Sequence, residues 1–433
     1  MTDHPLLERT KEALAPLWRL PAPAPKTFYQ HPAFADFKSF CERTFSNADH
    51  GLGFSFGLAN VLCSVGLPCL MSGTATPSSL DDCACRIVGT FEATSVRRRY
   101  LCPLDLADVL PVMQFGPASV RKYSPSELGW LFDGARLTRH FSGQPLDLSR
   151  LAEFQWLIVE EQAPVPERAG QRAMPFLYES WNRDFGAIDP HASIHPGTVT
   201  DALFGLLLAP WEDWHSLEID WRGFLVPWIH VTTDDLFVRP RPVPTADTLT
   251  WEEAAHHKDD GEVVEYERPV SIHLDAAAET VLAGFDHAWW ARIEAAMTTS
   301  LFETPVKHFL VRAAFSEGMD QIMAHMTTVE AALGLRSDFN QVGRPRGMRM
   351  APRDRLAKRV EALLGDPQAG SDYADLFETR SAFVHGRSIQ GLVPSKDRTS
   401  ARRLARRVTV ALIDAANGPA GQMARADYLN GLA

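Results

Sequence analysis

Residues 376–386 read Leu376-Phe377-Glu378-Thr379-Arg380-Ser381-Ala382-Phe383-Val384-His385-Gly386, and this stretch decides how the last third of the chain is understood. Its apolar residues, Leu376, Phe377, Phe383 and Val384, are expected to seat a helix in a bundle. Ser381 and His385 are four apart and share a helix face. Arg380 lies five residues before His385, about 140° round the axis at 3.6 residues per turn, within reach of a long side chain. Gly386 frees the chain to turn away after the last turn, so the His385 ring is expected to be accessible.

The neighbouring sequence has the same helical character from Leu274 onward. Asp275 is placed to cap a long helix reaching about Met297, and Pro305 opens a second that runs to Gly318. Asp320 is placed to cap a third over 321–333, ended by Gly334. After an Arg/Pro/Gly loop over 336–352, helices are predicted at 352–364, at about 372–385 and at about 399–416. Several helices with short links predict an antiparallel bundle over 270–416, followed by a tail at 417–433.

An arginine and a histidine in this arrangement suit a phosphate. The guanidinium offers a planar fork of donors at any pH, and imidazole moves protons near neutrality. Cleaving RNA requires a base for the 2'-OH, an acid for the leaving 5'-oxygen and positive charge on the pentavalent phosphate. Two Arg/His pairs, one from each subunit of a homodimer, supply all three without a metal or other cofactor.

The stretch resembles the Apea-like HEPN family, whose Arg-polar-x-x-x-His-Gly motif matches Arg380, Ser381, His385 and Gly386. An aliphatic-Glu-Ala segment on an earlier helix matches 328–333, TVEAAL. The resemblance spans residues 307–407, and Ser381 stands where asparagine is commonest. It implies an all-α HEPN bundle, a site formed by Arg380, His385 and Ser381, and Glu330 beside Arg380, orienting it or holding it in reserve. Arg402 and Arg406, one turn apart on the following helix, are expected to contact RNA. The expected activity is a metal-independent endoribonuclease, toxin-like or serving phage defence. The alternative is a non-catalytic HEPN module that binds nucleotide or a partner protein as a scaffold.

Outside this part the chain reads as an α+β region over 31–265, entered through a Pro-rich arm at 1–30. Strands are predicted at 119–123, 154–160 and 217–231, and helices at 125–132 and 198–208. Residues 238–247 and the acidic patch 252–267 read as a connection between domains. The region is read as a sensor or restraint; 115–128 is loosely similar to the strand-then-helix opening found before HEPN modules in large bacterial proteins.

Charge is unevenly distributed. The net charge of -11 divides into 20 Lys+Arg against 18 Asp+Glu over 271–433, leaving 23 against 36 for 1–270. Residues 336–407 hold 16 basic and 8 acidic side chains, a local bias that points to an anionic partner or to a solvated arginine-rich face. The N-terminus lacks the apolar core of a signal peptide, and the uncharged run 54–71 contains Asn60 and Pro68, so it reads as buried core and not as a membrane span. Six cysteines in the first quarter show no repeated metal-ligand spacing and read as reduced thiols, which predicts a cytoplasmic protein. Gly51-x-Gly53-x3-Gly57 misses dinucleotide spacing, and His191-x3-His195 lacks further metal ligands. His256 and His257 read as a solvated patch, and Trp211, Trp214, Trp221 and Trp228 read as core.

Overall fold

A computed structural model describes residues 5–22, 28–71, 78–179, 182, 184–214, 223–260, 262–339, 350–386 and 392–433. Four helices come first: α1 (Leu7–Trp18), α2 (Pro32–Thr44), α3 (Leu52–Val65) and α4 (Leu80–Glu92). Mixed structure follows, with β1 (Ser95–Leu104), β2 (Met113–Phe115), β3 (Ala118–Lys122), α5 (Pro125–Leu131), α6 (Gly134–His140) and α7 (Leu148–Leu151). Then come β4 (Gln155–Pro164), α8 (Ala169–Ala173), α9 (Gly197–Leu206), β5 (His230–Thr233), β6 (Trp251–His257) and β7 (Val263–Pro269). The remainder is helical: α10 (Ala276–Leu282), α11 (His287–Met297), α12 (Val306–Ala314), α13 (Gly318–Leu333), α14 (Arg336–Phe339), α15 (Pro352–Leu364), α16 (Pro367–Val384), α17 (Ser395–Ala416) and α18 (Arg425–Gly431). The protein is thus mixed α/β, with a helical N-terminal region and a helical C-terminal part.

Compactness divides the chain into two units that are discontinuous in sequence. The first comprises Met1–Pro103, Lys122–Ala187 and Pro227–Leu249. The second comprises Leu104–Arg121, Ile188–Val226 and Thr250–Ala433. Segments 104–121 and 188–226, read from sequence as part of the α+β region, therefore fold with the C-terminal helices.

The first unit is built on a core of helix faces. Leu14 and Leu17 of α1 are fully buried with Phe34 and Phe37 of α2, Leu58 and Val61 of α3, and Ile87 of α4. The N-terminal segment is therefore part of the core and not only an arm. The uncharged run at 54–71 supplies α3, whose Phe54, Leu58, Val61, Leu62 and Val65 are 0% exposed, as its reading as core required. Gly66 ends α3 in the left-handed region (φ 85°), a conformation glycine adopts without strain. Strand β1 lies between β4 and β5, antiparallel to β5 in the register Arg98↔Thr233 through Leu101↔His230. Helix α5 opens with a reciprocal capping box between Ser124 and Glu127. The strand expected at 217–231 reduces to β5; its residues 217–222 lie outside the described residues.

In the second unit, hairpin β2–β3 pairs Met113 with Val120 and Phe115 with Ala118. Gly116 turns the hairpin at φ 51°, and a Cβ there would stand 2.4 Å from the Trp290 ring. Residues 251–269 are not a connector: they form hairpin β6–β7, in register from Trp251↔Pro269 to His257↔Val263. The helix expected over 275–297 is two helices. Asp275 caps α10 as anticipated, but Gly284 breaks the helix and the Asp286 carboxylate caps α11 through the Trp289 N–H at 2.8 Å. Asp320 lies inside the first turn of α13, whose N-cap is Glu317.

Helix α13 packs on α12, α15, α16 and α17, and α17 also meets α11, α12 and α15. Their common core includes Leu310, Ile322, Met326, Val329, Leu356, Val360, Tyr373, Leu404, Val408 and Leu412. Residues 417–433 are not a loose tail. The Arg425 guanidinium donates to the carbonyls of Ala331, Ala332 and Gly334, and the Leu429 carbonyl accepts from buried Arg359.

Candidate functional site

Helix α16 starts earlier than its apolar pattern indicated, because Asp366 caps it through the Gln368 N–H at 3.1 Å and Pro367 fills the first turn. It ends where the sequence placed the end. The His385 N–H donates to the Ser381 carbonyl at 3.0 Å and the Gly386 N–H to Phe383 at 3.1 Å, with Gly386 at φ 64°. His385 is exposed at this terminus and Ser381 is half-buried. Phe383 and Val384, expected to face the core, are 45% and 53% exposed; Leu376 seats the helix as expected, together with Tyr373. The helix face turns about 100° per residue, so the last apolar pair passes beyond the bundle contact.

Arg380 is held from the opposite side. Its Nη1 stands 3.3 Å from Glu330 Oε1 of α13, and its guanidinium lies over the Phe377 ring at 5.8 Å. The Glu330 carboxyl is largely withdrawn from water. Burial pushes its pKa above the ordinary glutamate value, against the opposing effect of Arg380. The fully buried Tyr373 hydroxyl has no hydrogen-bond partner among the described residues, and its pKa is raised first by burial and then by the Glu330 charge. Arg380 Nε is likewise buried without a partner, which leaves donor capacity unused on this guanidinium.

Arg380 and Glu330 are therefore brought together, while His385 stands at the exposed end of the same helix. No hydrogen bond or ion pair joins the His385 ring to Arg380, Ser381 or Glu330 among the described residues. Tyr373 was missed in the sequence; its signal is the seven-residue spacing to Arg380, two turns along one face.

The arginines expected on RNA are placed differently. Arg402 is 6% exposed. Arg406 Nε donates to Glu212 Oε1 at 2.7 Å, and its Nη2 to Asp213 Oδ2 at 3.1 Å. Neither presents a free guanidinium to solvent: Arg402 is buried and Arg406 is held by two carboxylates. Other arginines of the basic stretch are also paired, two of them buried and three at the surface. Arg355 and Arg359 clamp buried Asp338, Arg403 pairs with Asp213, Arg407 with Asp366 and Arg353 with Glu378. The excess of arginine over 336–407 is in large part structural, a use that composition alone does not distinguish from phosphate binding. Residues 340–349 of the expected loop lie outside the described residues.

Other candidates resolve into packing. Cys41, Cys69, Cys83 and Cys102 are buried, and no group of three metal-ligating side chains occurs among the described residues. Gly53 and Gly57 are helical positions where α3 approaches α8 closely. His191 meets the His308 ring and His195 the Phe315 ring. His256 and His257 are exposed on β6. Trp211 and Trp214 are buried, Trp228 is half-buried and Trp221 lies outside the described residues. No helix among the described residues is long and apolar enough to cross a membrane. No family model, curated protein or solved structure matches the chain significantly.

Proposed function

We propose that the C-terminal helices form a HEPN-type bundle acting as a homodimeric, metal-independent endoribonuclease. Arg380 binds the scissile phosphate, while His385 and the partner subunit's His385 serve as base and acid. One imidazole takes the proton of the RNA 2'-OH as its oxygen bonds to phosphorus. The bond to the 5'-oxygen breaks, and the other imidazole protonates that leaving group. The products are a 2',3'-cyclic phosphate and a free 5'-OH, with protons balanced between the two rings. Glu330 and Ser381 are positioning residues, Glu330 through its ion pair with Arg380.

The observation that carries this reading is the exposed His385 at the end of the helix that also bears Arg380. The exposed Phe383 and Val384 beside it supply an apolar surface suited to a twofold contact. The non-catalytic reading is favoured by a different observation: Arg380 is already paired with Glu330, and Arg402 and Arg406 face inward. An RNA-cleavage assay with and without EDTA, comparing wild type with His385→Ala, separates the two. Cleavage that survives EDTA and vanishes in the variant supports the nuclease; no cleavage by wild type supports the scaffold, and a need for Mg²⁺ discards the Arg/His assignment.

A further inference from the structure

The first unit contains a cavity of about 550 Å³ whose wall carries more cations than it can neutralise. Arg98 on that wall pairs with Glu161 at 3.1 Å, and Arg172 binds both oxygens of Asp235 at 2.7 and 2.8 Å. Three other arginines have no carboxylate partner among the described residues. Arg136 is 3% exposed, and its donors go to the Ser64 hydroxyl and to the carbonyls of Thr233, Asp235 and Val238. These neutral acceptors leave its charge intact inside the protein. Arg239 touches the Phe141 ring, and Arg241 makes no hydrogen bond or ion pair among the described residues; both are exposed at the cavity mouth. The one further acid on the wall is Asp133.

A second observation lies on the same wall. His230 of β5 is 3% exposed, and its Nε2 is buried with no hydrogen-bond partner among the described residues. Burial, aided by Arg241, pushes its pKa down to about 4, so the ring is neutral at pH 7 and offers one polar nitrogen. The Phe132 ring lies 5.3 Å from it, and prolines complete an apolar floor. A buried polar atom left unmatched in a native fold calls for a partner.

We propose that this cavity binds a nucleoside phosphate, with the phosphate on Arg239 and Arg241, the buried charge of Arg136 behind them, and the base beside His230 and Phe132. Guanidinium forks match phosphate oxygens in pairs, and two exposed guanidiniums backed by the buried Arg136 charge suit a dianion better than a single carboxylate. The volume falls in the range of small-molecule sites and exceeds what inorganic phosphate fills. The apolar floor and the neutral nitrogen suit a ring that is flat on its faces and polar at its edge. The site lies wholly in the first unit, so it stands or falls independently of the nuclease assignment.

The test is calorimetric titration of the full chain with ADP, GDP, UMP, adenosine and inorganic phosphate. At least one nucleotide should bind, and the Arg239→Ala/Arg241→Ala double variant should weaken it at least tenfold with an unchanged melting temperature when unliganded. Both replaced side chains are exposed, so the fold should survive. Arg380→Ala should leave nucleotide affinity unchanged, which separates this cavity from the C-terminal site. The proposal is overturned if no nucleotide binds at millimolar concentration, if the double variant binds as well as wild type, or if Arg380→Ala abolishes binding. It is also overturned if adenosine or inorganic phosphate binds as tightly as any nucleotide.

Discussion

Arg380 Nη1 and Glu330 Oε1, 3.3 Å apart, tie α16 to α13 through a carboxylate largely withdrawn from water. The Glu330 pKa is raised in the folded protein, so this group contributes stability below its unfolded value of about 4.3, and the contribution is lost as pH rises through the folded value. Glu330→Gln removes the titration and keeps the shape. The melting temperature of wild type relative to this variant should therefore be higher at pH 4 than at pH 7. A difference independent of pH would mean that Glu330 titrates as it does in the unfolded chain.

The proposed chemistry assigns His385 the proton transfer, so His385→Ala should lower RNA cleavage by about 10²–10⁴-fold with little change in stability, because the ring is exposed. Arg380→Lys keeps the charge and loses the planar fork, and should be severely impaired. Single-turnover cleavage of a defined RNA measures both; an unimpaired lysine variant would remove the guanidinium from the site.

Asp338 is 0% exposed and is bound by Arg355 at 3.0 Å and by Arg359, itself fully buried. Burial raises its pKa, but the hydrogen bonds from Arg359, Leu335 and Arg355 outweigh this and hold it below the ordinary aspartate value. Asp338→Asn leaves two buried guanidiniums without a counter-charge and should destabilise the protein by about 3–5 kcal/mol in denaturant titration.

Arg406 should behave as a structural residue. The Glu212 side chain beside it is 1% exposed, so Arg406→Ala would strand a buried carboxylate and cost on the order of 3 kcal/mol of stability. If the protein binds RNA, the salt dependence of binding should be the same in this variant as in wild type, measured where both are folded. A flatter dependence would return Arg406 to the RNA surface.

His140 is half-buried in the first unit, with its Nε2 3.0 Å from the Ser64 hydroxyl. Burial first, then the charges of Arg136, Arg239 and Arg139, push its pKa down to about 4. The unfolded chain takes up this proton near pH 6.5 and the folded chain does not, so stability falls between pH 6.5 and 4. A shift of this size corresponds to on the order of 3 kcal/mol. His140→Gln keeps a hydrogen-bonding group and should lose less stability between pH 7 and 4.5 than wild type, by denaturant titration at each pH.

The sequence by itself determined what is local. Cap chemistry placed Asp275 before α10, and Gly386, at positive φ, ended α16 where punctuation placed that end. These features depend on a few adjacent dihedrals and their nearest hydrogen bonds, and so are legible without a fold. The tertiary structure decided which distant groups met. It gave Arg406 to Glu212 and Asp213, buried Asp338 under two arginines, drew 104–121 and 188–226 into the unit of the C-terminal helices, and left Phe383 and Val384 in water. An arginine has the same chemistry whether it binds a phosphate or a buried carboxylate. Its partner is fixed by long-range packing, which residue spacing along one helix does not encode.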